Sequence, residues 1–261
     1  MKSAATIVII GSGNIATCFG KAFYDAGYPI QAIYSQNIEH AKNLAAQLKT
    51  QAFSSLTLIP TDADFYFLAV KDSVIKEVSE QLNVNGIVIH FSGNTSLDIL
   101  NNHKKFGVMW PLQTITKNYH PDIKNIPLCV EGNNESTTNS ILEIAKSISN
   151  KVVEMNSTQR KFAHLAAVMA NNFSNHLFEI SAQILKEHNL DFDLLRPLIL
   201  ETARKVQHEN PAEMQTGPAI REDLKTVNEQ LELLNEYPEY KNIYEVLSKS
   251  IINQNQLKIK K

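Results

Sequence analysis

The sequence has only two cysteines, Cys18 and Cys129, and they lie far apart in the chain. Neither belongs to the closely spaced pairs that form zinc sites, and two cysteines do not make a disulfide framework in a chain of this length. We therefore expect two small, buried thiols and no metal site.

A charge excess of either sign is missing as well, because the formal net charge is −2. A protein that binds the phosphate backbone of nucleic acid needs a basic excess clustered on one face. We therefore expect no nucleic-acid partner. The one basic cluster, Lys258, Lys260 and Lys261, is interpreted as a solvated tail.

Long apolar runs are also absent. The first run, Ile7–Ile10, breaks at Gly11 and is too short for the apolar core of a signal peptide. No other run approaches the roughly 18 apolar residues of a membrane span. We expect a cytoplasmic protein without a membrane partner.

What is present in the first half is an alternation of short β-rich runs and amphipathic helical stretches. Such alternation is typical of a parallel sheet covered by helices on both faces. The predicted strands are Thr6–Ile10, Ile30–Tyr34, Asp64–Val70, Gly86–Phe91, Phe106–Met109, Ile126–Glu131 and Lys151–Met155.

After Asn156 the strand runs stop, and a long helix is predicted to about Glu187, followed by further helices. The predicted fold class is α/β, a Rossmann-type doubly wound sheet followed by an all-helical C-terminal domain. We predict an NAD(P)-binding domain in residues 1–150 and a helical domain for substrate binding and dimerisation in residues 151–261.

The clearest motif is the segment Gly11–Ala16, which follows an apolar strand and opens a helix. It fits the G-x-G-x-x-A form of the dinucleotide fingerprint. In that motif Gly11 permits the tight turn, and Gly13 lets the backbone approach the diphosphate. The free N–H groups of the helix start at Asn14 and Ile15 then face the phosphates. A plain glycine turn is the alternative interpretation.

The end of the second predicted strand decides between NAD and NADP. An acidic residue there binds the ribose 2′-hydroxyl of NAD and repels a 2′-phosphate. This chain has Ser35 and Gln36 at that place and no carboxylate before Glu39. NADP is therefore the predicted cofactor, with a phosphate lined by Ser35, Gln36, His40 and Lys42, and NAD is the alternative.

Three further turns follow predicted strands, at the edge where open α/β sheets bind ligands. Each turn could also be a simple connection. These turns supply four further cofactor-binding candidates, Val70, Ser92, Gly93 and Gln113. Ser12 of the fingerprint is the remaining candidate.

One side of the long predicted helix carries a titratable group and two amides. On a regular helix His164, Asn171 and Asn175 lie together. A histidine suits the proton transfer that accompanies hydride transfer, and the two asparagines would orient a substrate oxygen. A solvated helix face is the alternative. The opposite side, predicted to be core, consists of Phe162, Leu165, Ala166, Met169, Phe173 and Ile180.

The fourth catalytic candidate is Arg221, which lies near the start of a helix predicted over Pro218–Glu236. Its guanidinium would bind a substrate carboxylate or a cofactor phosphate through two hydrogen bonds. An ion pair with Glu222 or Asp223 is the alternative.

Two motifs of the helical half, His164–Val168 with Asn171–Asn172 and Thr216–Ala219 with Arg221, resemble a known family. Its members join a Rossmann-like NADP oxidoreductase domain to a helical domain of unknown function. They are related to pyrroline-5-carboxylate reductase and to deazaflavin-dependent NADP reductases. The resemblance spans nearly the whole chain, and it implies a nucleotide site between the domains and a homodimer formed through the helical half.

This chain departs from its relatives at Trp110, where they carry histidine, and at Gln36, where they carry arginine. Hydroxyacid dehydrogenases use a lysine followed four residues later by asparagine, and neither Lys161 nor His164 has that spacing. The expected function is hydride transfer between NADPH and a small carbonyl or imine compound. The alternative is a non-catalytic NADP-binding regulator or sensor.

Overall fold

The computed structural model describes residues 5–116 and 121–259, and it divides into two compact units, Met1–Ala170 and Asn171–Lys261. The domain boundary near residue 150 stays a prediction. The compact division falls later because helix Ser157–Ala167 packs on the sheet through Ala163. The solvated tail predicted at Lys258, Lys260 and Lys261 lies outside the described side chains.

One sheet forms the centre of the first unit. Its strands are β1 (Ile7–Ile10), β2 (Ile30–Tyr34), β3 (Gln51–Phe53), β4 (Phe65–Leu68), β5 (Ile87–His90), β6 (Phe106–Pro111), β7 (Leu128–Gly132) and β8 (Val152–Glu154). Within the described residues their order is β3-β2-β1-β4-β5-β6-β7-β8. Only the β6–β7 pair is antiparallel among these neighbours. The predicted Rossmann-type doubly wound sheet is confirmed.

The central strands are apolar except for His90 at the end of β5, as expected where helices cover both faces of the sheet. Every residue of β1, β4 and β5 is buried. On one face the aromatic rings of Phe23 and Phe67 stack at 4.7 Å, and those of Phe19 and Phe91 pack at 4.6 Å. This packing holds the carboxyl ends of β1, β4 and β5 side by side at one edge.

Helices α1 to α4 belong to the sheet unit, α5 follows the sheet, and α6 to α9 form the second unit. No helix among the described residues is both long and apolar enough to cross a bilayer. Their bounds are α1 (Asn14–Asp25), α2 (Ile38–Gln47), α3 (Ile75–Glu80), α4 (Glu135–Ile148), α5 (Ser157–Ala167), α6 (Ser174–Glu187), α7 (Arg196–Lys205), α8 (Leu224–Leu233) and α9 (Pro238–Ile259).

The long helix predicted after Asn156 exists, but a π-helical segment, Val168–Phe173, interrupts it between α5 and α6. The prediction that this apolar side belongs to the core is wrong. Phe162, Leu165 and Met169 are 69%, 56% and 58% exposed, and only Ile180 of the predicted set is buried. Helical periodicity identifies an apolar side, but it does not say which element, if any, covers that side.

The helix predicted over Pro218–Glu236 begins later, at Leu224. The Asp223 side chain accepts a hydrogen bond from the Thr226 N–H at 3.1 Å and so caps the helix there. Glu222 has a positive φ of 53°, which is incompatible with a helix running through it. Arg221 therefore lies in the turn before α8, not on the helix.

Candidate functional site

The turn after β1 is held tightly between its neighbouring strands. The Gly11 N–H donates to the Tyr34 carbonyl oxygen at 2.7 Å, and the Ala69 N–H donates to the Ile10 carbonyl oxygen at the same distance. Gly11 has φ of 127°, and a Cβ atom there would lie 2.2 Å from the Ala69 carbonyl oxygen. Only glycine fits this position, as the fingerprint predicts.

Beyond this turn, α1 begins with its backbone amides uncovered. Gly13 is the N-cap residue and has no side chain to cap the helix, and the first turn contains no acidic residue. A Cβ atom at Gly13 would meet nothing within 4 Å, so open space lies in front of it. The first amides of a helix have no partner inside it. The Gly13–Ile15 segment therefore fits a dinucleotide diphosphate.

Two candidates for the ribose end come together beside this turn, since Ser12 Oγ donates to Ser35 Oγ at 2.9 Å. Gln36 is exposed next to them. Lys42 pairs with Glu39 at 2.8 Å, and both side chains are more than half exposed. An exposed pair of this kind is weak, so Lys42 is available to exchange Glu39 for a phosphate.

The candidates at the ends of β4 and β6 have different surroundings. Val70 is half-buried and packs against the core on one face of the sheet. Gln113 is exposed, and its Oε1 accepts a hydrogen bond from the Thr114 N–H at 2.9 Å. Asn14, at the start of α1, donates from Nδ2 to the Ile115 carbonyl oxygen at 3.3 Å. This hydrogen bond links the segment after β6 to the glycine turn.

Ser92 lies in the turn after β5 and is only 6% exposed. Its hydroxyl donates to the Asp72 carboxylate at 2.5 Å and accepts from the Thr95 N–H at 3.0 Å. The Ser92 hydroxyl thus forms its hydrogen bonds within the protein. Its contribution at this edge is to hold the turn in shape.

His90, the last residue of β5, is completely buried under that turn. Its Nδ1 accepts a hydrogen bond from the Ser92 N–H at 3.1 Å. Burial, helped by the nearby Arg160 guanidinium, lowers the pKa of His90 to about 4, against a smaller opposite effect of the Ser96 backbone. The imidazole is therefore neutral near pH 7 and acts as a fixed acceptor.

His164 meets the same turn from α5. A Cβ atom at Gly93 would lie 2.6 Å from Trp110 Cε2 and 2.9 Å from His164 Cδ2. The Trp110 and His164 rings are tilted by 54° with centroids 5.8 Å apart. Gly93 is therefore the residue that lets the indole and the imidazole close over the end of β5. The structure brings together Gly93 and His164, which the sequence had predicted in separate motifs.

The other catalytic candidates, Asn171, Asn175 and Arg221, belong to the second unit and are exposed. Asn171 lies in the π-helical segment, where the rotation per residue is smaller than in an α-helix. The predicted alignment of Asn171 and Asn175 with His164 assumed an unbroken α-helix, and the π-helical segment interrupts that helix.

Three residues at this edge were not among the predicted site residues: Trp110, Glu131 and Arg160. Arg160 is 1% exposed and forms an ion pair with Glu131 of β7. A sequence signal for Glu131 did exist, because it is the one acid in the otherwise uncharged strand Leu128–Gly132. No local pattern identifies Arg160 as its partner, since the two residues are brought together only by the packing of α5 on the sheet.

No group of three or more His, Cys, Asp or Glu side chains in the described part of the chain is placed to hold a metal ion.

The chain matches solved structures and protein-family models. The chain is 36% identical to a putative NADP oxidoreductase from Bacteroides fragilis, with a TM-score of 0.86 over 96% of this chain and 98% of that one. The chain belongs to this NADP oxidoreductase family. The protein-family model for coenzyme F420-dependent NADP oxidoreductases matches residues 6–92. A domain of unknown function (DUF2520) matches residues 126–251.

Two further solved structures are similar to this NADP oxidoreductase. A protein from Thermotoga maritima is 25% identical, with a TM-score of 0.77 over 97% of this chain and 99% of that one. A reductive aminase from Aspergillus terreus, in complex with NADPH and ethyl-5-oxohexanoate, is 10% identical, with a TM-score of 0.69 over 97% and 95%. At that identity the likeness concerns the fold alone. Among curated proteins none matches the sequence.

The predicted family resemblance and the predicted cofactor, NADP, are confirmed by these matches. The protein is an enzyme of the NADP-dependent oxidoreductase class, and the uncovered amides at Gly13–Ile15 fit that cofactor.

Proposed function

We propose that this NADP oxidoreductase reduces the C=O or C=N bond of a small substrate, with His164 as the proton donor. NADPH supplies a hydride to the substrate carbon when bound, and the imidazolium of His164 gives a proton to the oxygen or nitrogen. The products are NADP⁺ and an alcohol or amine, and solvent returns the proton to His164. In the reverse direction neutral His164 accepts the proton.

The observation that carries this proposal is the contact of His164 with Gly93 and Trp110 at the carboxyl edge of the sheet. The glycine turn after β1 lies at the same edge, two strands away, which is about 10 Å. A dinucleotide whose diphosphate binds at Gly11–Ile15 can extend along this edge toward β5. Its reacting end would then lie near the end of β5, where the half-buried His164 contacts Gly93.

We assign the parts of the cofactor accordingly. The diphosphate contacts the amides of Gly11, Ser12, Gly13, Asn14 and Ile15. Ser35 and Gln36 bind the 2′-phosphate, for which the end of β2 offers hydroxyl and amide groups instead of a carboxylate. Val70, Ser92, Gly93 and Gln113 shape the pocket of the nicotinamide half.

Asn171, Asn175 and Arg221 are the residues to which we assign substrate recognition. In this proposal Asn171 and Asn175 hydrogen-bond the substrate oxygen, and Arg221 binds a carboxylate on it. All three residues are exposed, which supports the assignment because a substrate can reach them.

The first experiment measures loss of NADPH absorbance with a panel of keto acids, cyclic imines, ketone–amine mixtures and an oxidised deazaflavin. Saturable turnover with a carbonyl or imine member supports the proposal. Turnover with the deazaflavin alone would show that the hydride goes to a second cofactor. Tight NADPH binding with no turnover across the panel would favour the sensor that the sequence left as an alternative.

We also propose that two copies pair through the helical region. The support is the exposed apolar side of α5 and the π-helical segment, where Phe162, Leu165, Met169 and Phe173 are each more than half exposed. Large exposed apolar patches on a protein surface mark interaction sites. Light scattering should find a dimer, and Leu165→Glu should convert it to a monomer. A monomeric wild-type protein at high concentration would contradict this.

The cytoplasm is the proposed location. Cys18 and Cys129 are both free thiols, which suits a reducing compartment. Cell fractionation with an antibody against the protein would test this, and recovery in a secreted fraction would contradict it.

A further inference from the structure

Arg160 is a buried charge that the proposed reaction does not use. Its side chain is 1% exposed, and arginine is almost never buried to that extent without partners. The guanidinium pairs with Glu131, donates from Nη2 to the Thr95 carbonyl oxygen at 2.7 Å, and donates to Ser157 Oγ at 3.1 Å. These three partners belong to β7, to the turn after β5 and to the first turn of α5.

Glu131 completes the network from the sheet. The Ser157 N–H and hydroxyl donate to its two carboxylate oxygens at 2.9 and 2.8 Å. The start of α5 is therefore attached to β7 by Ser157 and Arg160 together. Because the Thr95 carbonyl binds the same guanidinium, the turn Ser92–Thr95 is attached to α5 as well.

This attachment acts on His164 through the geometry of the helix. Arg160 and His164 are four residues apart on α5, so they lie on the same side, one turn from each other. His164 in turn contacts Gly93, which is part of the segment that Arg160 holds through Thr95. One guanidinium thus restrains both the helix that carries the imidazole and the turn against which the imidazole packs.

Stability alone does not account for such a pair, since replacing a buried ion pair by apolar side chains is often neutral or stabilising. We propose that Arg160 is the positioning residue of His164. It keeps the imidazole against Gly93 and Trp110 in the orientation that proton transfer requires. This inference rests on the proposed function, in which His164 donates the proton.

A first test needs no substrate, because Trp110 is the single tryptophan of the chain. An imidazole packed against an indole alters the emission of the indole, so the difference in Trp110 emission between wild type and His164→Asn measures this contact. We call that difference the fluorescence amplitude. In Arg160→Lys it should fall to less than about half of the wild-type amplitude, as the ring contact is loosened.

Other titratable or charged groups lie near Trp110: His90 on β5, Cys129 and Glu131 on β7, and Arg160 on α5. His164→Asn leaves all four in place, so the difference between that variant and wild type isolates His164. Arg196→Lys, at an exposed arginine of α7, is the matched control and should keep the full amplitude.

The second test is a double-mutant cycle on kcat with the substrate found in the panel. Arg160→Lys should lower kcat by about 10- to 100-fold in the wild-type background, and by less than about twofold when His164 is already asparagine. The Kd of NADPH should not change in either background. If Arg160→Lys does not fold, the same cycle is measured with Ser157→Ala, a milder change in the same network.

The outcomes separate this inference from the proposed function. If His164→Asn keeps wild-type kcat, the role of His164 is wrong, and the fluorescence amplitude still tests whether Arg160 places the ring. If Arg160→Lys lowers kcat by the same factor in both backgrounds, or keeps the full fluorescence amplitude, Arg160 is not the positioning residue.

Discussion

The turns that follow β1 and β5 lie at the same edge of the sheet, but they are built in opposite ways. The turn after β1 works by the absence of side chains: Gly11 has no room for a Cβ atom, and Gly13 faces open space. The turn after β5 works through side chains, with Ser92 bound to Asp72 and with Trp110 and His164 closing over Gly93. Larger side chains should therefore disrupt the turn after β1, whereas the turn after β5 should be affected mainly by truncation of its side chains.

The largest expected effect is at the second turn, from removal of the imidazole. His164→Asn should lower kcat by about 10²- to 10⁴-fold, the usual contribution of a general acid, without changing the Kd of NADPH. Steady-state kinetics and a fluorescence titration of NADPH measure the two quantities. His176→Asn, at an exposed histidine of α6, is the matched control. An unchanged kcat in His164→Asn would remove this residue from the reaction.

The next effect is at the first turn, from added atoms. Gly13→Val should raise the Kd of NADP⁺ by about 100-fold, the equivalent of one or two charge-assisted hydrogen bonds, and lower the free energy of unfolding by no more than about 1 kcal/mol. Gly11→Ala should instead lower the free energy of unfolding by about 3 kcal/mol or more, because its Cβ would overlap backbone. Calorimetric titration and urea unfolding separate these outcomes. Equal behaviour of the two variants would contradict this division of roles.

A pH effect should distinguish the second turn from the first. The pKa of His90 falls from 6.5 to about 4 on folding. A lowered pKa in the folded state stabilises the protein above pH 6.5, and this stability is lost as the pH falls toward 4. The free energy of unfolding should fall by about 3 kcal/mol over this pH range. Urea unfolding between these pH values should show a smaller loss in His90→Asn, whose amide oxygen replaces Nδ1 as acceptor. Parallel pH profiles for the two proteins would contradict this.

The smallest effect tests whether the second turn also resists added atoms. Gly93→Ala would push against Trp110 and His164, so we expect kcat to fall by about tenfold with no change in the Kd of NADPH. The Trp110 emission spectrum should shift at the same time, because its ring has to move. Wild-type kcat together with a wild-type spectrum would show that the two rings are not held as closely as the structure places them.

The contrast between the turns also explains what could be predicted from the sequence. Gly11 and Gly13 were predictable because the requirement is local: a strand, a tight turn and a helix start are all encoded within a few consecutive residues. Ser35 and Gln36 were predicted from their place after the second strand, and their binding of a phosphate stays a proposal. His164 was a candidate from its helix side, but its partners Trp110 and Gly93 come from distant strands.

The apolar side of α5 shows the limit of periodicity. The sequence pattern correctly separates the side of Phe162 and Leu165 from the side of His164. It does not say that the His164 side packs on the sheet while the apolar side is left exposed. That choice depends on which other elements reach α5, and the π-helical segment at Val168–Phe173 further changes the alignment of Asn171 and Asn175.

The sequence by itself determined the Rossmann sheet, the glycine turn after β1 and the preference for NADP, because hydrophobic alternation and the glycine motif act over short stretches of chain. Only the tertiary structure decided that Glu131, Thr95 and Arg160 meet one helical turn before His164. Buried ion pairs join residues far apart in sequence, and their geometry is set by the packing of whole elements, in this case α5 on β7 and on the turn after β5.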